Sequence, residues 1–266
     1  MKAMLIDTNL CVGCRGCQVA CKEWNKLPAE KTEFFGGPGY QNPKHLSAKT
    51  WTLITFNDVN DSKGYDWVFG KRQCFHCNEP GCESVCPVGA LKKTEDGPVV
   101  YDKSVCLGCR YCQLACVFGV PGFEWEKAIP VVRKCTMCAD RIKAGGKPAC
   151  VSSCPTGGVT FGEREEMINL AKQRIADKPD VYVDHIYGLN EVGGTGVLHI
   201  SNVPFEKLEG FPSGLPTTAI GLRTRSAEVA VPYIMTGLGV ALGGISWVVN
   251  RRMQLEQGQS TEEDKS

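Results

Sequence analysis

Sixteen cysteines fall into four groups of four, with none left over. The first run is Cys11-x2-Cys14-x2-Cys17-x3-Cys21. The second is Cys74-x2-Cys77-x4-Cys82-x3-Cys86 followed by Pro87, and the third is Cys106-x2-Cys109-x2-Cys112-x3-Cys116. The fourth is Cys135-x2-Cys138-x11-Cys150-x3-Cys154 followed by Pro155. Three closely spaced thiolates can hold one 4Fe–4S cube, while the fourth cysteine of the run reaches a different cube. The spacing therefore predicts four 4Fe–4S clusters with all sixteen cysteines as iron ligands, and one-electron transfer as their chemistry.

Two other uses of cysteine compete with this reading. Cysteines in Cys-x2-Cys-x2-Cys triplets cannot all reach bridge geometry with one another, which argues against a disulfide framework. Zinc sites are built from Cys-x2-Cys pairs and have no use for a third cysteine two residues on. A zinc-structured binding protein stays as the rival from another class, which a colourless preparation would favour. The histidines His45, His76, His185 and His199 are scattered. His76 lies inside a run whose cysteine count is already complete, so it reads as a packing or tuning residue. The turn Gly193-Gly194-Thr195-Gly196 lacks the spacing of a nucleotide-binding loop. No general base or nucleophile competes, and no catalytic residue is predicted.

Short elements must carry these runs. Leu5-Ile6 reads as a strand ahead of the first run, residues 50–56 and 65–69 as strands ahead of the second, and residues 36–43 as a loop. Val99–Tyr101, Val131-Val132 and Val159–Phe161 are further short strands. This recurrence of strand, cysteine run and helical turn suggests an internal duplication. Met167, Leu170, Ala171 and Ile175 recur at helical spacing over residues 163–176, ended by Pro179. Residues 181–187 and 197–203 read as strands. Pro204, Pro212 and Pro216 mark an extended connector. Residues 229–249 then carry no charge, and as a helix they would span roughly 31 Å, enough to cross a lipid bilayer. Arg223, Arg225, Arg251 and Arg252 flank this segment, and the tail from Gln254 reads as disordered.

In 266 residues with a net charge of +1 there is no basic surplus to suggest a nucleic-acid partner. The N-terminus has neither a signal-length apolar run nor a twin arginine. The chain is therefore expected to be cytoplasmic, or exported while bound to a partner that carries the signal.

The residues also resemble a family. Cys11 through Asn25, Leu27-Pro28-Ala29-Glu30, Gln41-Asn42-Pro43, Lys134 through Arg141 and Pro148 through Gly157 are similar to the iron–sulfur (beta) subunits of membrane-bound molybdenum or tungsten formate dehydrogenase. The Gly193-Gly194-Thr195 turn and one C-terminal membrane helix also fit. Cys116 is followed here by Val117 where the family usually has proline. Cys106, Cys109, Cys112 and Cys116 are all present, which disfavours the nitrate reductase branch, where one ligand of this run is replaced.

The expected fold is α+β: two pseudo-symmetric ferredoxin-like modules plus one transmembrane helix. The outer module is residues 1–73 with 130–162, and the inner module is 74–129. A C-terminal lobe and connector span 163–220, the transmembrane helix 221–253, and the tail 254–266. Ferredoxin spacing implies that Cys86 joins Cys106, Cys109 and Cys112, and that Cys116 joins Cys74, Cys77 and Cys82. The outer runs have no other partners and the family exchanges ligands in the same way. Cys154 is accordingly assigned to Cys11, Cys14 and Cys17, and Cys21 to Cys135, Cys138 and Cys150. The resemblance implies a molybdenum or tungsten pterin catalytic partner and a membrane cytochrome b or quinone-binding partner. It also implies a location at the membrane, on the periplasmic face by co-export or on the cytoplasmic face. A hydrogenase or a sulfur-compound reductase is the alternative complex.

Overall fold

A computed structural model describes residues 1–33, 40–61 and 64–263, so the first half of the loop read at 36–43 lies outside the described residues. Strand β1 (Lys2–Asp7) is the centre of a three-stranded sheet. It pairs antiparallel with β8 (Val159–Glu163), Met4 opposite Phe161, and parallel with β9 (Val197–Ile200), Met4 opposite Val197. Both faces of β1 are covered, so its alternation separates two cores rather than core from solvent. Ala3 and Leu5 pack with Met167, Ala171 and Ile175 of helix α6 (Arg164–Asp177). Met4 and Ile6 pack with Cys17, Cys150 and Met137. Helix α6 starts from a capping box made by Glu163 and Glu166, which satisfies amides of its first turn.

The remaining strands are three antiparallel pairs: β2 (Leu53–Asp61) with β3 (Gly64–Arg72), β4 (Leu91–Lys93) with β5 (Val99–Tyr101), and β6 (Gly122–Phe123) with β7 (Val132–Arg133). The third cysteine of each run lies in a short helix. Cys17 is in α1 (Gly16–Trp24), Cys82 in α2 (Gly81–Ser84), Cys112 in α3 (Tyr111–Leu114) and Cys150 in α5 (Ala149–Ser152), and α4 (Ala139–Lys143) follows Cys138. Helix α1 packs on α5, and α2 on α3. The first run is thereby set against the fourth, and the second against the third.

Four expectations change. The strand read at 50–56 begins at Leu53 and runs on to Asp61. Residues 181–187 form no strand: Val181 bonds back to the Lys178 carbonyl, and only Tyr187 makes a bridge, to His199. The proline-rich connector is packed rather than merely extended, with Val203, Phe205, Leu208 and Phe211 all buried in one core. The last helix, α7, covers Ile220–Glu263, so the polar tail read as disordered is helical as far as Glu263. Propagating an existing helix needs no new nucleus, which lets a polar segment stay helical.

The chain divides into two units, Met1–Leu222 and Arg223–Ser266. Within α7, residues Ala230–Gln254 are long and apolar enough to cross a membrane, and none of the apolar window is buried.

Candidate metal centre

Cys11, Cys14, Cys17 and Cys154 line one cavity of about 400 Å³, walled by Ile6, Ile54, Val159 and the stem of Lys71. Cys86, Cys106, Cys109 and Cys112 line a second cavity of about 290 Å³ with Leu91, Phe123 and Val132. The other eight thiols act on one another electrostatically, with Cys74 reaching both Cys135 and Cys77. Burial pushes Cys135 well up, and Cys21, Cys74 and Cys150 add to it; Cys138 is pushed up to about 11 by burial, with Cys150 and Cys21 contributing. Burial likewise pushes Cys77 up to about 12, helped by Cys74 and Cys116, and pushes Cys82 well up, with Cys74, Cys116 and Cys77 contributing.

These four sets follow one another through shared cores. Cys11, Cys17 and Cys154 lie in one apolar cluster with Cys150. Cys21 and Cys135 share the next with Cys74, Cys77 and Cys116. Cys82 shares the last with Cys86, Cys106 and Cys112. Exposed cysteines occur only in the two end sets, Cys14 in one and Cys109 in the other.

The backbone is shaped to aim amides at sulfur. His76 N–H donates to Cys74 Sγ at 3.5 Å, Met137 N–H to Cys135 Sγ at 3.3 Å and Ala90 N–H to Cys86 Sγ at 3.2 Å. Asn25 Nδ2 donates to Cys21 Sγ at 3.6 Å. Around Cys154 burial pushes the thiol up, but the Thr156 hydroxyl and the N–H groups of Val159, Thr156 and Gly158 outweigh it and lower the thiol overall. Such donors stabilise sulfur as thiolate.

Positive φ makes some of these turns possible. Gly13 and Gly108 stand at φ 65° and 69°, each between two cysteines of a run. Arg15 and Arg110 follow at φ 59° and 69°, their guanidinium groups 4.6 Å above the Phe56 ring and 4.5 Å above the Trp125 ring.

The arrangement suits iron–sulfur clusters on its own chemistry. Each set offers four sulfurs in apolar surroundings, with amide donors aimed at many of them. Among the described residues no three His, Cys, Asp or Glu side chains close around a point small enough for one metal ion.

Sequence reasoning missed three lysines. Lys71 and Lys134 are each 1% exposed. Burial pushes Lys71 down, but Cys150, Cys17, Cys135 and Cys21 more than offset it, so it moves up overall. Lys93 is pushed down to about 8 by burial, and its Nζ donates to the carbonyls of His76 and Cys77 at 2.9 and 2.8 Å. The available signal was position: each lysine stands within a few residues of a cysteine run or inside a two-stranded lead. His76 is buried and neutral. Burial drives its protonation well below the usual range, with Lys134, Lys93 and Lys71 adding to it, and its Nδ1 accepts the Val99 N–H at 2.8 Å.

The segments that carried the family resemblance act as clips. Glu30 accepts hydrogen bonds from the hydroxyls of Ser47, at 2.6 Å, and Thr50. Gln41 receives the Phe56 N–H at 3.3 Å and donates to Glu209 at 2.5 Å. Glu30 closes the loop after the first run on itself, and Gln41 ties that loop to β2 of the hairpin before the second run.

Two families described as 4Fe–4S dicluster domains match the chain, over residues 10–90 and 65–164. A protein of Nitratidesulfovibrio vulgaris is 40% identical over 261 residues, covering 97% of this chain and 70% of the relative. The nitrate-inducible formate dehydrogenase iron–sulfur subunit of Escherichia coli K12 is 41% identical over 201 residues, 74% of this chain and 67% of the relative. The hydrogenase-2 operon protein HybA of Escherichia coli O157:H7 is 37% identical over 281 residues, 93% of this chain and 84% of the relative.

Proposed function

The chain belongs to the family of formate dehydrogenase iron–sulfur subunits, and from that premise we propose that it conducts electrons through four 4Fe–4S clusters from a molybdenum or tungsten pterin subunit oxidising formate to a haem- or quinone-bearing membrane subunit. The supporting observation is the line of four cysteine sets whose exposed members stand at its two ends, Cys14 and Cys109. A 4Fe–4S cluster supplies a reversible one-electron couple at nearly fixed geometry.

The chain's own residues do the rest. Cys11, Cys14, Cys17 and Cys154 hold one cluster; Cys21, Cys135, Cys138 and Cys150 the next; Cys74, Cys77, Cys82 and Cys116 the third; Cys86, Cys106, Cys109 and Cys112 the fourth. The matched conformations of Arg15 with Arg110 support two duplicated modules. Phe75, stacked on Phe118 at 4.0 Å between ring centroids, keeps water from the central sets. Beside Cys82 of the third set, Ile220 and Gly221 approach Gly81 and Ser84 as α7 begins. No residue here breaks or makes a substrate bond, and the chain works as the non-catalytic subunit of an oxidoreductase complex.

A second reading, that the partner is a hydrogenase, is favoured by the likeness to the hydrogenase-2 operon protein over 93% of the chain. Native membranes, purified without oxygen, separate the two. Formate should bleach the absorption near 400 nm, roughly where iron–sulfide charge transfer falls, in a complex carrying about sixteen irons per chain. Bleaching by hydrogen and not by formate selects the hydrogenase reading. Stoichiometric zinc overturns both.

A further inference from the structure

Lys71 and Lys134 are the two largest side chains among the described residues that are fully buried. Each belongs to the lead-in of one cysteine run while its ammonium serves another part of the site. Lys71 is the next-to-last residue of β3 ahead of Cys74, yet it lines the cavity of Cys11, Cys14, Cys17 and Cys154 and faces Cys150, Cys135 and Cys21 of the next set. Lys134 directly precedes Cys135, yet it acts on Cys82 and Cys116, with its Nζ bonded to the carbonyls of Val99 and Cys135. Among the described residues no carboxylate pairs with either ammonium; the partner of Lys71 Nζ is the neutral Gln73 Oε1. A desolvated cation without a carboxylate is costly unless negative charge stands nearby. Here the nearby groups are cysteine sulfurs.

We propose that Lys71 and Lys134 set the reduction potentials of the centres beside them, Lys71 those of the two outer cysteine sets and Lys134 that of the Cys74, Cys77, Cys82 and Cys116 set. This rests on the cluster reading given above. Reduction adds one electron and breaks no bond, so the centre gains one negative charge. A fixed cation in a low-dielectric interior favours that more negative state and raises the potential. Because each lysine comes from the lead-in to a run whose cysteines lie mostly elsewhere, the electrostatics of the outer and inner sets are tied to one another's folding.

The test is a reductive titration of the full complex, followed by electron paramagnetic resonance, with iron counted on the same samples. Lys71→Met should lower two of the four one-electron couples by at least tenfold in equilibrium constant, about 59 mV, and leave the others in place. Lys134→Met should lower a different couple. Lys71→Arg, which keeps the charge, should move its couples by less than half as much. Gln73→Glu leaves Lys71 in place and sets a carboxylate against it, so it should lower the same two couples as Lys71→Met; it decides the matter if the Met variant does not assemble. Unmoved couples in a fully loaded Lys71→Met or Gln73→Glu variant overturn the proposal, as does an equal shift of all four. A wild-type complex without four one-electron couples fails the cluster reading instead, which separates the two failures.

Discussion

His76 and Met137 hold the same conformation at the same place in two different cysteine runs. Their φ angles are 49° and 55°, both side chains are buried, and each N–H points at the sulfur of the cysteine two residues before it. Imidazole and thioether thus fill equivalent positions, so neither is required there as a ligand. His76→Met should keep every iron. It should cost roughly 1–2 kcal/mol, because the Val99 N–H loses its acceptor. His76→Val should cost about 1–3 kcal/mol more, since a β-branched residue is strained at positive φ. Thermal loss of visible absorption, with iron counted beforehand, checks both. Loss of iron in the Met variant alone would contradict the equivalence.

Gly13 and Gly108 form another such pair, and their surroundings predict unequal tolerance. A Cβ on Gly108 would meet the Pro130 carbonyl oxygen at 2.5 Å, whereas one on Gly13 would meet the Phe69 ring at 3.1 Å. Both alanines pay for positive φ, by about 1 kcal/mol. A ring edge can yield by a few tenths of an ångström and a backbone carbonyl cannot. Gly108→Ala should therefore be the more damaging by at least roughly 1–2 kcal/mol, with iron lost first from its own run. Equal melting temperatures for the two variants would refute the packing argument.

Buried histidines make stability depend on pH in a stated direction. Burial lowers His199 to about 3, with Lys71 opposing its protonation and the hydrogen bond to the Lys71 carbonyl favouring it. The folded state thus resists a proton that the unfolded chain accepts near pH 6.5. Stability from this group is complete above that pH and falls as pH drops toward the folded value. Between pH 7.5 and 5.5 the loss is roughly 1.4 kcal/mol. His199→Gln should flatten this slope in melting curves taken across that range. An unchanged slope would assign the pH dependence to other groups.

The cysteine runs were legible in the sequence because ligand spacing is local: three of the four ligands proposed for each cluster lie within one run. The expectation that these ligands converge from distant runs rests on ferredoxin spacing for the inner runs, and on elimination together with the family resemblance for the outer ones. Lys71 and Lys134 were not legible, since a lysine beside a polar residue at the end of a short strand reads as solvent-facing. What buries Lys71 is the packing of β3 against the first and fourth runs, which no local pattern encodes. Residues 181–187 misled for a related reason. Tyr182, Ile186 and Tyr187 are buried as a strand would require, but their burial does not alternate. Their amides bond to scattered carbonyls of Lys178, Ser201 and His199 rather than to a ladder.

Asp7 closes the sheet's far end and is fully buried, with Arg174 Nη1 at 2.8 Å and Tyr182 Oη at 2.9 Å. Arg174→Met leaves that carboxylate with two neutral donors, the Tyr182 hydroxyl and the Asn9 N–H at 3.1 Å. The expected cost is about 3 kcal/mol, the penalty of stranding a buried charge, with the clusters retained at low temperature. Asp7→Asn together with Arg174→Met should recover part of the loss, because no charge is then stranded. A double variant less stable than Arg174→Met would show that the carboxylate serves something other than this pair.

The apolar part of α7 gives the final prediction. Residues Ala230–Gln254 bury none of their apolar window, and an uncovered surface of this kind is stable only against lipid or another helix. Arg251 lies 5.7 Å from the Trp247 ring, an aromatic–cationic pair of the sort found at a membrane interface. A chain ending at Arg225 keeps all of the compact unit Met1–Leu222. Expressed with its catalytic partner, it should become soluble, retain about sixteen irons, pass electrons from formate to an artificial dye and lose quinone reduction. Gly239→Leu with Gly243→Leu probes the helix more finely. A Cβ at either position meets nothing within 4 Å in this chain, so the helix itself tolerates the change. Only a neighbour packed closely on that face would be pushed away. Membrane retention with lost quinone reduction would place the membrane partner on that face. Full quinone reduction by the truncated complex, still bound to membranes, would show that α7 neither anchors the protein nor docks it.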